Sequence, residues 1–190
     1  MMPRKYELKR RAERQEETRR RIVEAAIELH RTKGPARTTL SDVARRAGVQ
    51  RHTLYSHFSD ARALQMACSG HFTELNPLPD PAQWQALQGE ARLRRGLLDL
   101  YEYFTRTEDM MAAIFRDAEI HPLTREIMEL RRGGRAAEIG ASLAESVPRT
   151  KRARAALSLA VDFLAWRRLR QSGLSNGEAV ETMVRALRCQ

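Results

Sequence analysis

Cysteine is scarce in this chain: Cys68 and Cys189 are the only two in 190 residues. They lie far apart and in no metal-binding or redox spacing, which excludes a disulfide framework and leads us to expect a reduced, cytoplasmic protein. Long apolar runs are missing as well. The longest, residues 155–166, is broken by Asp162 and falls short of the roughly 20 residues a bilayer-spanning helix needs, so no membrane partner is expected. The first seventeen residues are charged rather than apolar, unlike a secretory signal. Alternating apolar runs bounded by turns are also lacking, which argues against strands. The five histidines are dispersed. Neither a His-x-x-x-His pair nor a glycine-rich phosphate loop occurs, and the spacing offers no Ser/His/Asp set. No metal, no cofactor and no enzymatic activity are therefore expected.

What is abundant is positive charge, and it is unevenly placed. The net charge is +10; residues 1–62 hold 16 Lys and Arg against 8 Asp and Glu, leaving 18 against 16 for residues 63–190. One third of the chain thus carries +8 of the excess. A local basic block favours a polyanion, because each neutralised phosphate releases condensed counterions.

Apolar residues recur at helical spacing throughout, which predicts an all-α protein. A helix over about 18–33 carries Ile22, Val23, Ala26, Ile27 and Leu29 and ends at Gly34-Pro35. Thr39 followed by Asp42 marks a helix start of capping-box type, and that helix stops at Gly48. A third helix spans about 50–58, and Asp60 caps a fourth that reaches Leu75. Three of the seven prolines fall within residues 76–83, which read as an elbow. Helices are then expected near 90–107, 108–118, 122–146, 149–172 and 174–188. The expected organisation is a small N-terminal helical domain over residues 1–58, with a flexible arm of about 1–15. A connecting helix and a larger helical bundle would fill residues 59–190. The arm's basic run is interrupted by Glu7, Glu13, Glu16 and Glu17, which favours a frayed start over a tail that follows DNA into a minor groove.

The stretch from Ala44 to Phe58 meets the demands of a helix-turn-helix. Ala44 is small where the second helix crosses the first, Gly48 tolerates positive φ in the turn, and Leu54 with Phe58 anchors one face of the second helix. Arg51, His52, Tyr55 and Ser56 then project outward, with Gln50 leading in and Thr53 near the start. Such a helix enters the major groove of double-stranded DNA. Arg51 suits guanine O6 and N7 or a phosphate. Tyr55 suits a phosphate or a thymine methyl, and His57 is a further phosphate donor. Thr39 and Ser41 are placed for backbone contacts that fix orientation.

The segment "TTLSDVARRAGVQRHTLYSHFSDARAL", residues 38–64, resembles the DNA-binding segment of the tetracycline-repressor (TetR) family. The shared features are Thr38-Thr39, Ala44, Gly48-Val49 and Thr53-Leu54-Tyr55-Ser56-His57-Phe58, and the "IVEAAIELHRTKG" helix extends the match to about 45 residues. The resemblance implies a homodimeric regulator that binds operator DNA, holds a small-molecule effector in its C-terminal bundle and dimerises through its last two helices. One departure stands out: the position where the family has a phosphate-contacting Lys after the Phe is Ala61 here, and Arg62 next to it is the candidate for that contact.

For the bundle, Trp84, Tyr101, Phe104, Met111, Phe115, Met128, Asp162, Phe163 and Trp166 are candidate ligand-pocket residues. Asp162, a carboxylate amid apolar neighbours, needs a partner or exposure. Ala156, Ala160, Leu164, Val180, Met183, Val184 and Leu187 are spaced for helix-on-helix packing across a two-fold axis. The leading expectation is a ligand-released repressor of a pseudo-palindromic operator. A regulator of the same fold without an effector, an activator, and a helical protein–protein adaptor are its competitors.

Overall fold

The structure, a computed structural model, describes residues 4–188, with side chains described for residues 7–131 and 133–188. The described residues form ten α-helices and two short 3-10 turns, with no strand. In order, these are α1 (Arg4–Thr32), α2 (Leu40–Ala47), α3 (Arg51–His57), α4 (Ala61–Leu75), α5 (Gly89–Ala118), α6 (Pro122–Arg132), α7 (Arg135–Ala144), α8 (Lys151–Ala160), α9 (Phe163–Gln171) and α10 (Asn176–Arg188). The all-α expectation holds. No helix among the described residues is long and apolar enough to cross a membrane. Cys189 and the first three residues of the expected arm lie outside the described residues.

The chain divides into two compact units, Met1–Leu75 with Ala112–Met128, and Asn76–Met111 with Glu129–Gln190. The first unit therefore holds the connecting helix α4 and a later segment, beyond the cut expected after residue 58.

In the first unit, α1 packs on α2 and α4 around Ile22, Val23, Ala26, Val43, Ala44, Leu54, Phe58 and Leu64, all buried. Gly34 turns the chain after α1 at φ 93°, and a Cβ there would overlap the Arg116 guanidinium and the Asp117 carboxylate. Asp117 is buried, accepts the Ala36 N–H at 2.8 Å and pairs with Arg116 at 2.7 Å. His30 lies nearby, 3.5 Å from the Cys68 sulfur. Burial holds its pKa down at about 4, with His121 adding to the depression and Asp117 opposing it. Gln65 donates to the Thr124 hydroxyl at 3.1 Å, which in turn meets His121 Nδ1 at 2.7 Å.

The second unit is built on the first three-quarters of α5, where Leu93, Leu97, Leu100, Tyr101 and Phe104 are buried, as are Leu157, Phe163, Trp166 and Val184 of α8, α9 and α10. The Tyr101 ring meets that of Trp166, and Phe104 meets both Phe163 and Trp166. Arg94 is held by Glu181 at 2.6 Å and Arg167 by Glu108 at 3.2 Å.

Three expected boundaries differ. α5 runs unbroken through residues 107–108, where the sequence has neither Gly nor Pro. The helix expected over 122–146 breaks at Gly133-Gly134, where Gly134 has φ 62°. The helix expected over 149–172 breaks at Val161, and Asp162 caps a new one by accepting the Ala165 N–H at 2.9 Å. The segment expected to be a flexible arm is helical from Arg4, continuous with α1.

Candidate nucleic-acid interface

The site begins with the start of α2. Thr39 accepts the Asp42 N–H at 3.1 Å, and the Asp42 carboxylate accepts the Thr39 N–H at 3.2 Å, so both members of the capping box are present. The Thr39 N–H and then its hydroxyl, together with Lys33, hold the Asp42 carboxyl below its ordinary range. α2 closes at Gly48, φ 65°, in the left-handed region, while the Val49 N–H reaches back to Ala44 at 3.0 Å. The turn is pinned from α1, whose Arg21 Nη2 donates to the Ala47 carbonyl at 2.5 Å and to Gly48 at 3.4 Å.

This turn delivers α3 with one face anchored. Leu54 is fully buried and Phe58 is 3% exposed, whereas Arg51, His52, Tyr55 and Ser56 are exposed together on the free face. Spacing of three and four residues puts these apart from the anchors, since helical neighbours repeat every 3.6 residues. Arg51 lies over the Tyr55 ring at 5.6 Å and its Nη2 donates to the Tyr55 hydroxyl at 3.2 Å. The guanidinium is thereby held over a ring while its remaining N–H groups stay free to donate. His52 meets the Thr53 hydroxyl at 3.3 Å. Ser56 donates to the Thr53 carbonyl, so its hydroxyl oxygen remains an acceptor. Gln50, Thr39 and Ser41 are exposed; Thr53 and His57 are half-buried.

Arg62 is placed differently from its expected role. Its guanidinium donates to Glu126 through Nη2 at 2.6 Å and Nε at 3.1 Å, and that carboxylate raises its pKa further. In this structure Arg62 serves α6 rather than standing free for a phosphate. The sequence gives no sign of this, since Glu126 lies 64 residues away. Two other basic residues of the motif are engaged too, Arg45 by Asp42 and Arg46 by Glu28. Sequence reasoning passed over Arg21, whose role depends on a contact 26 residues away.

The candidate pocket residues fall into two groups. Tyr101, Phe104, Phe163 and Trp166 come together in the second unit and pack on one another, with Phe104–Phe163 and Phe104–Trp166 centroids both 5.5 Å apart. The Tyr101 hydroxyl donates to the Ala160 carbonyl at 2.8 Å, and the Trp166 indole donates to Asn176 at 3.1 Å. Trp84, also fully buried, donates to Asp99 at 2.8 Å. Half-buried Met111 belongs to the same unit, but Phe115 and Met128 belong to the first. Asp162 has its partner: it is a helix cap, and the Ala165 N–H answers the need that made it a ligand candidate. An open surface depression of about 780 Å³ lies instead along Leu174, Ser175, Glu178, Glu181, Thr182 and Arg185, sharing no residue with the expected set.

Of the residues expected at a two-fold interface, the chain buries Ala160, Val180, Val184 and Leu187 in its own core. α8, α9 and α10 pack on one another. Ala156 and Met183 are half-buried, and Leu164 is 49% exposed. Leu159, which sequence reasoning omitted, is 59% exposed.

A left-handed glycine turn between two short helices, an anchored second helix and a row of exposed donors on its free face define a helix-turn-helix DNA-binding domain. The family model described as "Bacterial regulatory proteins, tetR family" matches residues 22–67, from the buried part of α1 through the first half of α4. Residues 22–67 are thus similar to the N-terminal domain of the tetR family of bacterial regulatory proteins. The HTH-type transcriptional regulator SrpR of Pseudomonas putida is 40% identical over 78 residues, covering 38% of this chain and 37% of that relative. The match thus spans little more than a third of the relative's length. Among solved structures, a HlyIIR mutant protein superposes with a TM-score of 0.71 at 15% identity, covering 93% of this chain and all of that one. NalD, the secondary repressor of the MexAB-OprM multidrug efflux pump in Pseudomonas aeruginosa, has a TM-score of 0.56 at 20% identity, covering 93% and 96%. These two likenesses concern the fold.

Proposed function

We propose that the chain is a sequence-specific transcriptional regulator, a homodimeric repressor that reads a pseudo-palindromic operator with one α3 per half-site in successive major grooves. The observation that carries this reading is α3 itself. Leu54 and Phe58 are buried while Arg51, His52, Tyr55 and Ser56 stand exposed on the opposite face. Arg51 supplies bidentate donation to guanine or to a phosphate, and Thr39, Ser41 and Gln50 fix orientation on the backbone. Exposed Leu159 and Leu164, on α8 and α9, offer apolar side chains to a second copy. The N-terminal domain would read DNA and the remainder would hold the effector and the dimer contacts, in the cytoplasm where the DNA is.

Release by a small-molecule effector would work through its differential affinity for two arrangements of the protein. A reading without an effector has a specific observation in its favour: the aromatic residues of the second unit fill one another's space, and Asp162 is occupied as a cap.

Selection from random duplexes by the full chain tests the main reading. One two-fold-related sequence should be enriched, and Arg51→Ala should weaken specific binding more than non-specific binding. A pool without enrichment overturns it, and a chain that stays monomeric at micromolar concentration overturns the two-half-site arrangement. A ligand-dependent rise in melting temperature across a metabolite panel separates the effector-released form from the effector-free one.

A further inference from the structure

α1 extends well ahead of its first buried residue, Ile22: every residue from 7 to 17 is exposed. A helical segment of that length without tertiary packing is marginal in water. Part of its support is a line of ion pairs, Lys9–Glu13 at 3.9 Å, Glu17–Arg20 at 2.7 Å and Arg20–Glu24 at 3.9 Å. These place the carboxylates of Glu13, Glu17 and Glu24 along one side. Another face has a different character. Arg11, Arg14, Gln15 and Thr18 follow the spacing i, i+3, i+4, i+7, and the same stripe continues as Ile22, Ala25, Ala26 and Leu29. From Ile22 onward it packs into the core; before Ile22 it is polar. None of these eight positions is acidic, and one turn earlier the same face carries Glu7 and Leu8. Arg11 and Arg14 make no ion pair among the described residues.

The location of this stripe follows from two contacts. Arg21 holds the Ala47 and Gly48 carbonyls, immediately before α3, and the Arg19 guanidinium lies 5.0 Å over the Phe58 ring, immediately after it. α1 therefore passes beside α3 at residues 19–21, and the stripe lies further toward its N-terminus. At 1.5 Å per residue, Arg11 stands about 15 Å beyond Arg21 along the helix axis. That exceeds the roughly 12 Å width of the major groove.

We propose that this stripe is a second phosphate-binding surface, on which Arg11, Arg14 and Gln15 contact the duplex backbone flanking the base pairs that α3 reads. The inference rests on the DNA-binding reading above and adds an element outside the helix-turn-helix. Its occupant is fixed by charge: a net-basic, donor-bearing face with two guanidiniums outside any ion pair among the described residues, in the third of the chain that holds most of the net positive charge, fits a polyanion. The contact is with phosphates, so it adds affinity and salt dependence without sequence preference.

The test uses the full chain and two duplexes, the selected site with ten or so base pairs of flank and the same site trimmed to its enriched positions. On the flanked duplex, Arg11→Ala/Arg14→Ala should make the dependence of log affinity on log salt shallower by about 2. On the trimmed duplex the variant and the parent should coincide. Arg11→Lys/Arg14→Lys should restore the slope, which separates charge from helix stability, and circular dichroism should show equal melting temperatures for all three chains. Equal slopes for parent and alanine variant on the flanked duplex overturn the proposal, as does failure of the lysine variant to restore the slope. The two readings fail distinguishably: if selection enriches nothing, the DNA reading falls. If Arg51→Ala loses specificity while the alanine pair changes nothing, only the α1 surface falls.

Discussion

Lowering the pH should destabilise the first unit through His30, before carboxylates contribute. His30 is 8% exposed, and burial holds its folded pKa at about 4 against an ordinary 6.5. The folded imidazole stays neutral through that interval while the unfolded chain takes up a proton. The unfolded state therefore binds more protons, and stability falls as the pH drops from 6.5 toward 4. Each unit of pKa difference corresponds to about 1.4 kcal/mol, so the full interval costs about 3 kcal/mol, a large part of a domain's stability. Asp117 opposes the depression and His121 adds to it, and neither reverses it. Asp42 and Asp60, whose carboxyls are held low by backbone N–H groups, lose their contribution only at lower pH. The assay is urea unfolding at steps from pH 7.5 to 4.5 for the parent and for His30→Gln. Far-ultraviolet circular dichroism follows both units, whereas tryptophan fluorescence follows the second, where Trp84 and Trp166 lie. The parent should lose stability steeply by circular dichroism below pH 6.5, and the variant should show a shallower slope whatever its absolute stability. Identical slopes for the two chains would refute the assignment.

Three further outcomes follow from the packing of the same unit. Gly34→Ala should destabilise by about 2–4 kcal/mol in thermal or urea unfolding, because φ 93° is strained for any side chain and the Cβ would displace the Arg116–Asp117 pair. Leu54→Ala should cost about 2–5 kcal/mol, since the side chain is fully buried, and should abolish duplex binding at temperatures where the parent binds. A double-mutant cycle on Arg62→Ala and Glu126→Gln should give a coupling of only about 0.2–1 kcal/mol in stability, because both side chains are about half exposed. In duplex binding, Glu126→Gln should strengthen affinity only when Arg62 is present, read by comparing the four chains at one salt concentration.

The readable parts of the interface were those whose determinants are local. Thr39 with Asp42 and Gly48 four residues after Ala44 specify a helix start and a left-handed stop. Leu54 with Phe58 specifies the buried side of α3. From these the exposed set Arg51, His52, Tyr55 and Ser56 follows by periodicity alone. The Gly133-Gly134 break and the Asp162 cap were also written locally, yet the apolar periodicity around them suggested continuous helices. A carboxylate between Val161 and Phe163 suggested a ligand contact where it is a cap.

The sequence by itself determined an all-helical chain, a basic first third and the order of residues that makes a helix-turn-helix, because helical period, capping and turn chemistry act over a few neighbours. Tertiary structure alone decided that Arg62 is occupied by Glu126 and that Val180, Val184 and Leu187 face the chain's own core. It also decided that Arg21 pins the turn and that α1 passes beside α3 at residues 19–21. Each of these depends on which distant surfaces meet. A one-dimensional pattern states that a face is apolar or charged, but not which partner covers it.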